Sequence, residues 1–388
     1  MTFLIILFAT TFFVAITSVV FLIIFPKFNK SKSDKFSLLN ISIIIAFKNE
    51  ENNLASLFSS LQGMIYPIDK YEVILVDDDS SDNSFQKAIE LSNSKPNYHV
   101  FRVHDKKYPG KRGALDFGIS NAKYPYILIT DADCMPAQKW LIGYSEHFSL
   151  KFDMLFGLAP FQQNRGLVNA ISCFENLRSS ILTFSFARLN LPYSAAARNF
   201  GFTISAFKRL GGFGNTLETP SGDDDLLIRE AVKNNLVIGV VDFEESYVIS
   251  NPKSSVNDFL NQKARHTKTS HYYLPIHKFL LGLWHLSNIL SLASILFLTI
   301  NPLFVLPFIT KMLIDTISVL LIQKKFQYSF KIHEIPLLQM LYEIFLIVNF
   351  LASFRRNIPW KDWDIARLIQ LVEQTTNLIK NDSSKIFI

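Results

Sequence analysis

YPYILITDADC, residues 124–134, joins a run of apolar and aromatic residues to two carboxylates one position apart, Asp131 and Asp133. The run reads as a buried strand and the carboxylates as its end. A strand leaving a sheet cannot keep two unpaired charges in dry packing, because their desolvation goes uncompensated. The pair therefore either turns the chain in solvent, where Asp is common, or holds a cation. Carboxylate oxygens suit Mg2+ or Mn2+, ions that also bind substrate phosphates.

The same pattern recurs upstream. ISIIIAF (41–47), YEVILVDD (71–78) and YHVFRV (98–103) read as strands. ENNLASLFSSLQ (51–62), SFQKAIELSN (84–93) and KRGALDFGISNA (111–122) read as the helices between and after them. This alternation predicts right-handed βαβ units and an α/β fold with a mostly parallel sheet. Ligands of such sheets bind beyond the carboxyl ends of the strands. Lys48, Asn49 and Glu50 follow the first strand, Asp77 to Asp79 end the second, and Asp131 and Asp133 follow the fourth. The first strand is not followed by G-x-G-x-x-G, and no G-x-x-x-x-G-K-[ST] occurs, which excludes the usual dinucleotide and P-loop signatures.

Three more stretches carry chemistry. In LVDDDSSDNS, three adjacent carboxylates repel one another. One is placed to accept hydrogen bonds from a base or ribose, while Asp82, Ser81 or Asn83 caps the next helix. GDDDLL (222–227) opens another helix. One or two acids would satisfy the helix dipole; three exceed it, and clustered carboxylates raise one another's pKa, which suits a general base. PGKRGALDFGISNAK (109–123) puts Lys111 and Arg112 at a helix start, where cations and free N–H groups attract phosphate. QKARH (262–266) places Gln262, Arg265 and His266 on one helix face, either an exposed polar surface or part of a site.

The ends of the chain are apolar. Of 388 residues 49% are hydrophobic, and the mean hydropathy is +0.21. Residues 3–25 carry no charge and match the roughly 20 residues that span a bilayer. The uncharged start and long run favour an uncleaved anchor, residues 1–26, over a signal peptide. Lys27, Lys30, Lys32 and Lys35 follow, so the next domain, residues 36–272, is expected in the cytoplasm. Two or three further membrane helices are expected within 279–354: spans at 279–300 and 302–322, and a segment at 336–354 that contains Glu343. A crossing there would put Arg355, Arg356 and Lys361 on the wrong side, so 336–354 either crosses against that rule, lies in the interface or re-enters. The tail, 355–388, mixes Trp with charge and reads as an amphipathic surface segment. The net charge of +6 suits anionic lipid or phosphorylated ligands. Without an arginine-rich tail or an RNA-reading motif, nucleic acid is not an expected partner. Cys134 and Cys173 have neither disulfide-framework nor metal-site spacing.

Taken in order, with their membrane flanks, these motifs resemble the family 2 glycosyltransferases of the GT-A fold. The likeness is to the membrane-bound branch of cellulose, chitin and poly-N-acetylglucosamine synthases, over about residues 40–270. IIIAFKNEENNL is similar to that family's opening strand and nucleotide loop, which implies donor contacts at Ala46, Lys48 and Glu50. VDDDSSDNS resembles the second acidic motif. The family usually has Gly where this chain has Asp79, which leaves Asp78 for the uracil. GKRGALDFGISNA resembles the segment near the diphosphate, with Lys111 as its cation. TDADC resembles the D-x-D motif, implying Asp131 at the donor and both Asp131 and Asp133 at Mg2+ or Mn2+. ARNFGFTISAFKRLGGF (197–213) is similar to the acceptor-side stretch. GDDDLL aligns with Thr-Glu-Asp-x-Asp-Leu: Asp223 takes the place of the catalytic base, Gly222 replaces Glu, and Asp224 is the candidate to share the role. QKARH resembles Q-x-x-R-W, so Gln262 and Arg265 are expected donor-side residues and His266 stands for the Trp that stacks on the acceptor sugar. The resemblance implies inverting transfer from a UDP-sugar to a hydroxyl of a lipid-linked or polysaccharide acceptor, metal-dependent, at a bacterial inner membrane. A metal-dependent nucleotidyl- or phosphotransferase and a non-catalytic membrane scaffold are the competing readings.

Overall fold

The structure is a computed structural model that describes residues 2–29 and 37–355. Lys30, Lys32 and Lys35, and the expected amphipathic tail from residue 356 onward, lie outside the described residues. The chain begins with α1 (Thr2–Ile24). The predicted alternation follows: β1 (Ile41–Phe47), α2 (Leu54–Gln62), β2 (Tyr71–Asp77), α3 (Ser84–Ser92), β3 (Tyr98–Arg102), α4 (Lys111–Ser120) and β4 (Tyr126–Ile129). Next come β5 (Cys134–Pro136), α5 (Trp140–Ser149), β6 (Met154–Phe156), α6 (Leu167–Arg188), β7 (Phe200–Thr203), α7 (Ile204–Arg209), α8 (Asp223–Lys233), β8 (Ile238–Val240), β9 (Val248–Ser250) and α9 (Val256–Ser270). The chain then runs through α10 (Pro275–Ala293), α11 (Val305–Ile322) and α12 (Ile335–Ser353).

Seven strands form the main sheet in the order β3-β2-β1-β4-β7-β6-β8. β3, β2, β1 and β4 are mutually parallel. β7 runs antiparallel to β4 and β6, and β8 is parallel to β6. The sheet is therefore mixed and mostly parallel, as the alternation predicts. Every residue of β1 is buried, which accounts for its β-branched run without polar alternation: helices cover both faces. Gly118 of α4 sets the approach of that helix, since a Cβ there would stand 2.6 Å from Ile44 Cγ2. β5 and β9 pair as a separate two-stranded ribbon that shapes the chain after Asp133.

The helix expected from residue 51 starts at Leu54. Residues 49–53 are held as a turn instead. Asn49 has φ +53, its N–H donates to Ser80 Oγ at 3.0 Å, and Glu50 N–H donates to Ser84 Oγ at 2.7 Å. These bonds to the next strand–helix junction outweigh one more helical turn.

α1, α10, α11 with its flanking turns, and α12 are all long and apolar enough to cross a membrane. α1 and α10 are antiparallel: the Thr11 and Ser291 hydroxyls lie 3.1 Å apart, and the Phe21 ring meets Trp284. The charge that weakened the sequence signal in α12 is internal. Glu343 is buried 3.4 Å from Lys311 Nζ and accepts from Gln339 at 2.9 Å. Lys311 also pairs with Asp315, and Asp315 with Arg178 of α6 at 2.9 Å. Two acids and two bases cancel where water cannot reach them, which is how charge is retained beside lipid.

Asp315→Leu strands Lys311 and Arg178, and an orphaned buried charge costs about 3–5 kcal/mol. The thermal midpoint in detergent should fall clearly for Asp315→Leu and hardly at all for Ile317→Ala, whose side chain is exposed.

Candidate functional site

Beyond the carboxyl ends of β1, β2 and β4 lies a cavity of about 1010 Å3. Ala46, Lys48, Glu50, Asp78, Lys111, Asp131, Asp133, Asp223, Asp224, Gln262, Arg265 and His266 all line it. The tertiary fold thus gathers these residues in one cavity, while Arg112, singled out beside Lys111, does not line it.

The three adjacent aspartates of β2 divide their work. Asp77 is fully buried, and its Oδ2 accepts from Arg102 Nε at 2.6 Å. Asp78 faces the cavity and pairs with Lys106. Burial pushes the Asp78 carboxyl up, and Lys106 and Lys48 oppose that. Asp79 is exposed, has φ +59, and lies 3.2 Å from His104. That left-handed conformation favours Gly, and Asp is among the few other residues that tolerate it.

Lys111 and Arg112 also part company. Gly110, at φ +61, turns the chain into α4, and Lys111 then reaches into the cavity. Its ammonium donates to Asp131 Oδ1 at 2.6 Å and stands 3.7 Å from Asp223 Oδ2. Arg112 is not a phosphate ligand. It is 2% exposed and donates to the carbonyls of Thr219 (2.6 Å), Pro220 (3.3 Å) and Ser221 (3.0 Å). It therefore anchors the loop that delivers α8.

The acidic start of α8 is equally differentiated. Gly222, at φ +78, precedes it, and a Cβ there would stand 2.3 Å from Thr269 Cγ2 on α9. This glycine lets α9, with Gln262, Arg265 and His266, close against the start of α8. Burial pushes the Asp223 carboxyl up, but Lys111 and Arg112 outweigh it and leave the group below the ordinary carboxylate range, opposite to the rise expected from clustering. Burial, with Asp225 and Asp223 beside it, pushes Asp224 well above that range; its Oδ2 accepts from Ala197 N–H at 2.6 Å. Asp225 is structural: its carboxylate accepts from Ser194 Oγ (2.7 Å) and Tyr273 OH (2.6 Å). His266 is held well below its ordinary value by burial and by Lys263, Arg265 and Arg198, so the imidazole is neutral.

Asp131, Asp133 and Cys134 offer ligand atoms within 4.8 Å of one another. The Cys134 thiol is buried and donates to Asp133 Oδ1 at 3.4 Å. Burial and the two aspartates push that thiol up. The oxygen donors of Asp131 and Asp133 fit a hard divalent cation such as Mg2+ or Mn2+.

Some contributors escaped the sequence reading. Asn199 is fully buried and accepts from Trp140 Nε1 (2.8 Å) and Tyr144 OH (2.8 Å). Its amide donates to Leu158 O (2.6 Å) and Ser246 O (3.1 Å), joining four segments behind the cavity. Arg198 lines the cavity, donates to Ala159 O and covers the Phe161 ring. An Arg-Asn pair opening an aromatic strand was the available signal.

Residues 42–173 match the family model Glycosyl transferase family 2. The chain is 27% identical over 170 residues, 44% of its length, to Glycosyltransferase AglE of Haloferax volcanii, covering 52% of that protein. It is 35% identical over 106 residues, 27% of its length, to Beta-monoglucosyldiacylglycerol synthase of Trichormus variabilis, covering 23%. The chain thus spans about half or less of these relatives' lengths. Its fold matches a mannosyltransferase of Pyrobaculum calidifontis solved with GDP-Man and Mn2+: TM-score 0.55, 17% identity, covering 91% of this chain and 99% of that one.

Arg112→Lys keeps the charge but cannot span the three loop carbonyls. Amide hydrogen exchange across 219–226 should quicken about tenfold, the loss of one or two net hydrogen bonds, with β1 and β2 amides unchanged.

Proposed function

We propose that the chain, whose residues 42–173 match the family model Glycosyl transferase family 2, transfers a sugar from a nucleoside diphosphate donor to an acceptor at a membrane. The observation that carries this reading is the Lys111 ammonium, 2.6 Å from Asp131 and 3.7 Å from Asp223. One cation joins the strand-end carboxylates to the acidic start of a distant helix. A donor diphosphate beside the first and an acceptor beside the second would meet within one cavity.

The donor we propose is a UDP-sugar. Asp78 would receive the base, with Ala46, Lys48 and Glu50 along the nucleotide, and Lys111 and Arg265 beside the diphosphate. Asp131 and Asp133 would hold Mg2+ or Mn2+, and the metal's chemistry is to neutralise charge on the departing diphosphate. Asp223 would take the proton from the attacking oxygen. Its low-lying carboxyl and the raised one of Asp224 support dividing the pair into an ionised base and a protonated neighbour. Asp224, bonded to Ala197 N–H, would then position the start of α8 instead of sharing the proton transfer. Attack opposite the leaving group inverts the anomeric carbon. Gln262 would stand on the donor side with Arg265, and the neutral His266 would complete the wall near the acceptor, where an imidazole offers a smaller stacking face than an indole. The domain borders proposed with this reading are an anchor at 1–26, a catalytic domain at 36–272 and membrane helices within 279–354, with the catalytic domain cytoplasmic.

Purified protein incubated with UDP- and GDP-sugars in Mn2+ should release nucleoside diphosphate from one donor. Asp223→Asn should lower kcat by about 100-fold or more, the usual yield of general base catalysis, with donor binding kept. Release of pyrophosphate or of a nucleoside monophosphate instead would favour a nucleotidyl- or phosphotransferase.

EDTA should abolish turnover, and Asp133→Ala should weaken the restoring effect of Mn2+. Titration calorimetry of Mn2+ in the presence of UDP reads the same loss without turnover.

A further inference from the structure

α12 has 19 residues, which at 1.5 Å per residue is about 28 Å, close to a bilayer core. Length and composition therefore make it look like a span; its ends say otherwise. α1 leads into the sheet domain, and its exit marks that side of the membrane. Asn29 N–H donates to Asp242 O at 3.0 Å and Asn29 O accepts from Glu244 N–H at 2.9 Å. α11 returns to this side, because Phe326 meets Phe25. In the loop after it, Tyr328 OH accepts from Phe161 N–H at 2.8 Å and donates to Asn176 at 2.9 Å. α12 thus starts against the sheet domain. It ends there too. Ser353 Oγ lies 2.9 Å from His271 Nε2, Lys268 Nζ donates to Arg355 O at 3.2 Å, and the His271 ring packs on Phe354. His271 precedes α10, before that helix enters its apolar stretch. Between its ends α12 lies along α9, with Phe345 on Phe259.

Its faces agree. Leu337, Met340, Ile344, Ile347, Leu351 and Phe354 are exposed at helical spacing, while Gln339, Tyr342, Glu343, Asn349 and Ser353 are buried. A helix that hides its polar side and shows an apolar stripe, with both ends on one side, lies in the leaflet. The segment from Arg355 onward then begins on the same side as the catalytic domain, which removes the conflict with the basic residues that follow.

The cavity that begins at Asp131 and Asp223 continues to this helix. Its far walls are Leu281, Gly282 and Leu286 of α10 and Leu346, Ile347 and Leu351 of α12. Its volume stands at the upper end of the roughly 300–1,000 Å3 of small-molecule clefts. A Cβ at Gly282 would meet nothing within 4 Å, so the glycine leaves room in the wall and is not required by packing. Exposed apolar residues of both helices, Leu286 of α10 and Ile347 and Leu351 of α12, line this opening, and an apolar opening of that kind suits an acyl or isoprenyl chain.

We propose that α12 lies in the plane of the membrane instead of crossing it, and that the gap between α10 and α12 admits a membrane lipid whose head oxygen reaches the carboxylate cavity. That this lipid is the sugar acceptor rests on the transferase reading; its entry and the course of α12 do not.

The full chain is reconstituted in nanodiscs containing a phospholipid with a photoactivatable acyl chain. After irradiation, adducts are expected on Leu281 and on Leu346, which are half-buried in the gap wall, as well as on outward positions such as Leu313 and Leu351. Gly282→Phe, which fills the gap, should remove the first two by at least fivefold and leave Leu313 labelled. Separately, Phe354→Cys in oriented proteoliposomes should react with an impermeant maleimide from the catalytic-domain side, and Asn301→Cys from the opposite side. Adducts only on outward faces, or no effect of Gly282→Phe, would overturn the entrance. Labelling of Phe354→Cys from the Asn301 side would overturn the in-plane helix. Diphosphate release with water as acceptor reports the transferase reading independently of both.

Discussion

Carboxylates brought together out of water must be neutralised, and the molecule is organised around meeting that requirement. Lys111 does so at the centre, between Asp131 and Asp223. It needs Gly110 to turn the chain and the β4 end to present Asp131. The start of α8 must also be close, and Arg112 holds the loop before it. The two neighbouring cations act by different means, one as a charge in the cavity and one as a clamp on backbone. Were Lys111 absent, the like charges of Asp131 and Asp223 would face each other without a cation between them.

The membrane-facing half answers the same requirement with other partners. Arg178, Lys311, Asp315 and Glu343 form a neutral group that joins α6, α11 and α12. Because α6 is also a core helix of the sheet domain, this group fixes the cavity to the apolar helices. The strand-like contact of Asn29 with Phe243 adds a second tie. With two such ties, the position of the cavity against the apolar helices is set by the fold and not by a flexible linker.

Much of this was legible in the residues. The βα alternation predicted the parallel part of the sheet because side-chain period and turn residues are local properties. The positions of Asp78, Lys111, Asp131 and Asp223 at element ends were visible for the same reason. Less visible were partner assignments. Nothing local separates Lys111 from Arg112, or Asp223 from Asp224 and Asp225; their roles differ only by what lies opposite, whether Asp131, the 219–221 carbonyls, Ala197 or Tyr273.

By itself, the sequence determined the α/β class, the apolar ends and the set of residues that meet in the cavity, since period, length and charge are written along the chain. Only the tertiary structure decided which carboxylate is ionised, why Gly222 stands where it does, and where the ends of α12 lie. These depend on contacts between distant segments: Thr269 against Gly222, Ser353 against His271, Lys311 against Glu343. An apolar helix of bilayer length has the same composition whether it crosses or lies flat, and only its neighbours set its direction.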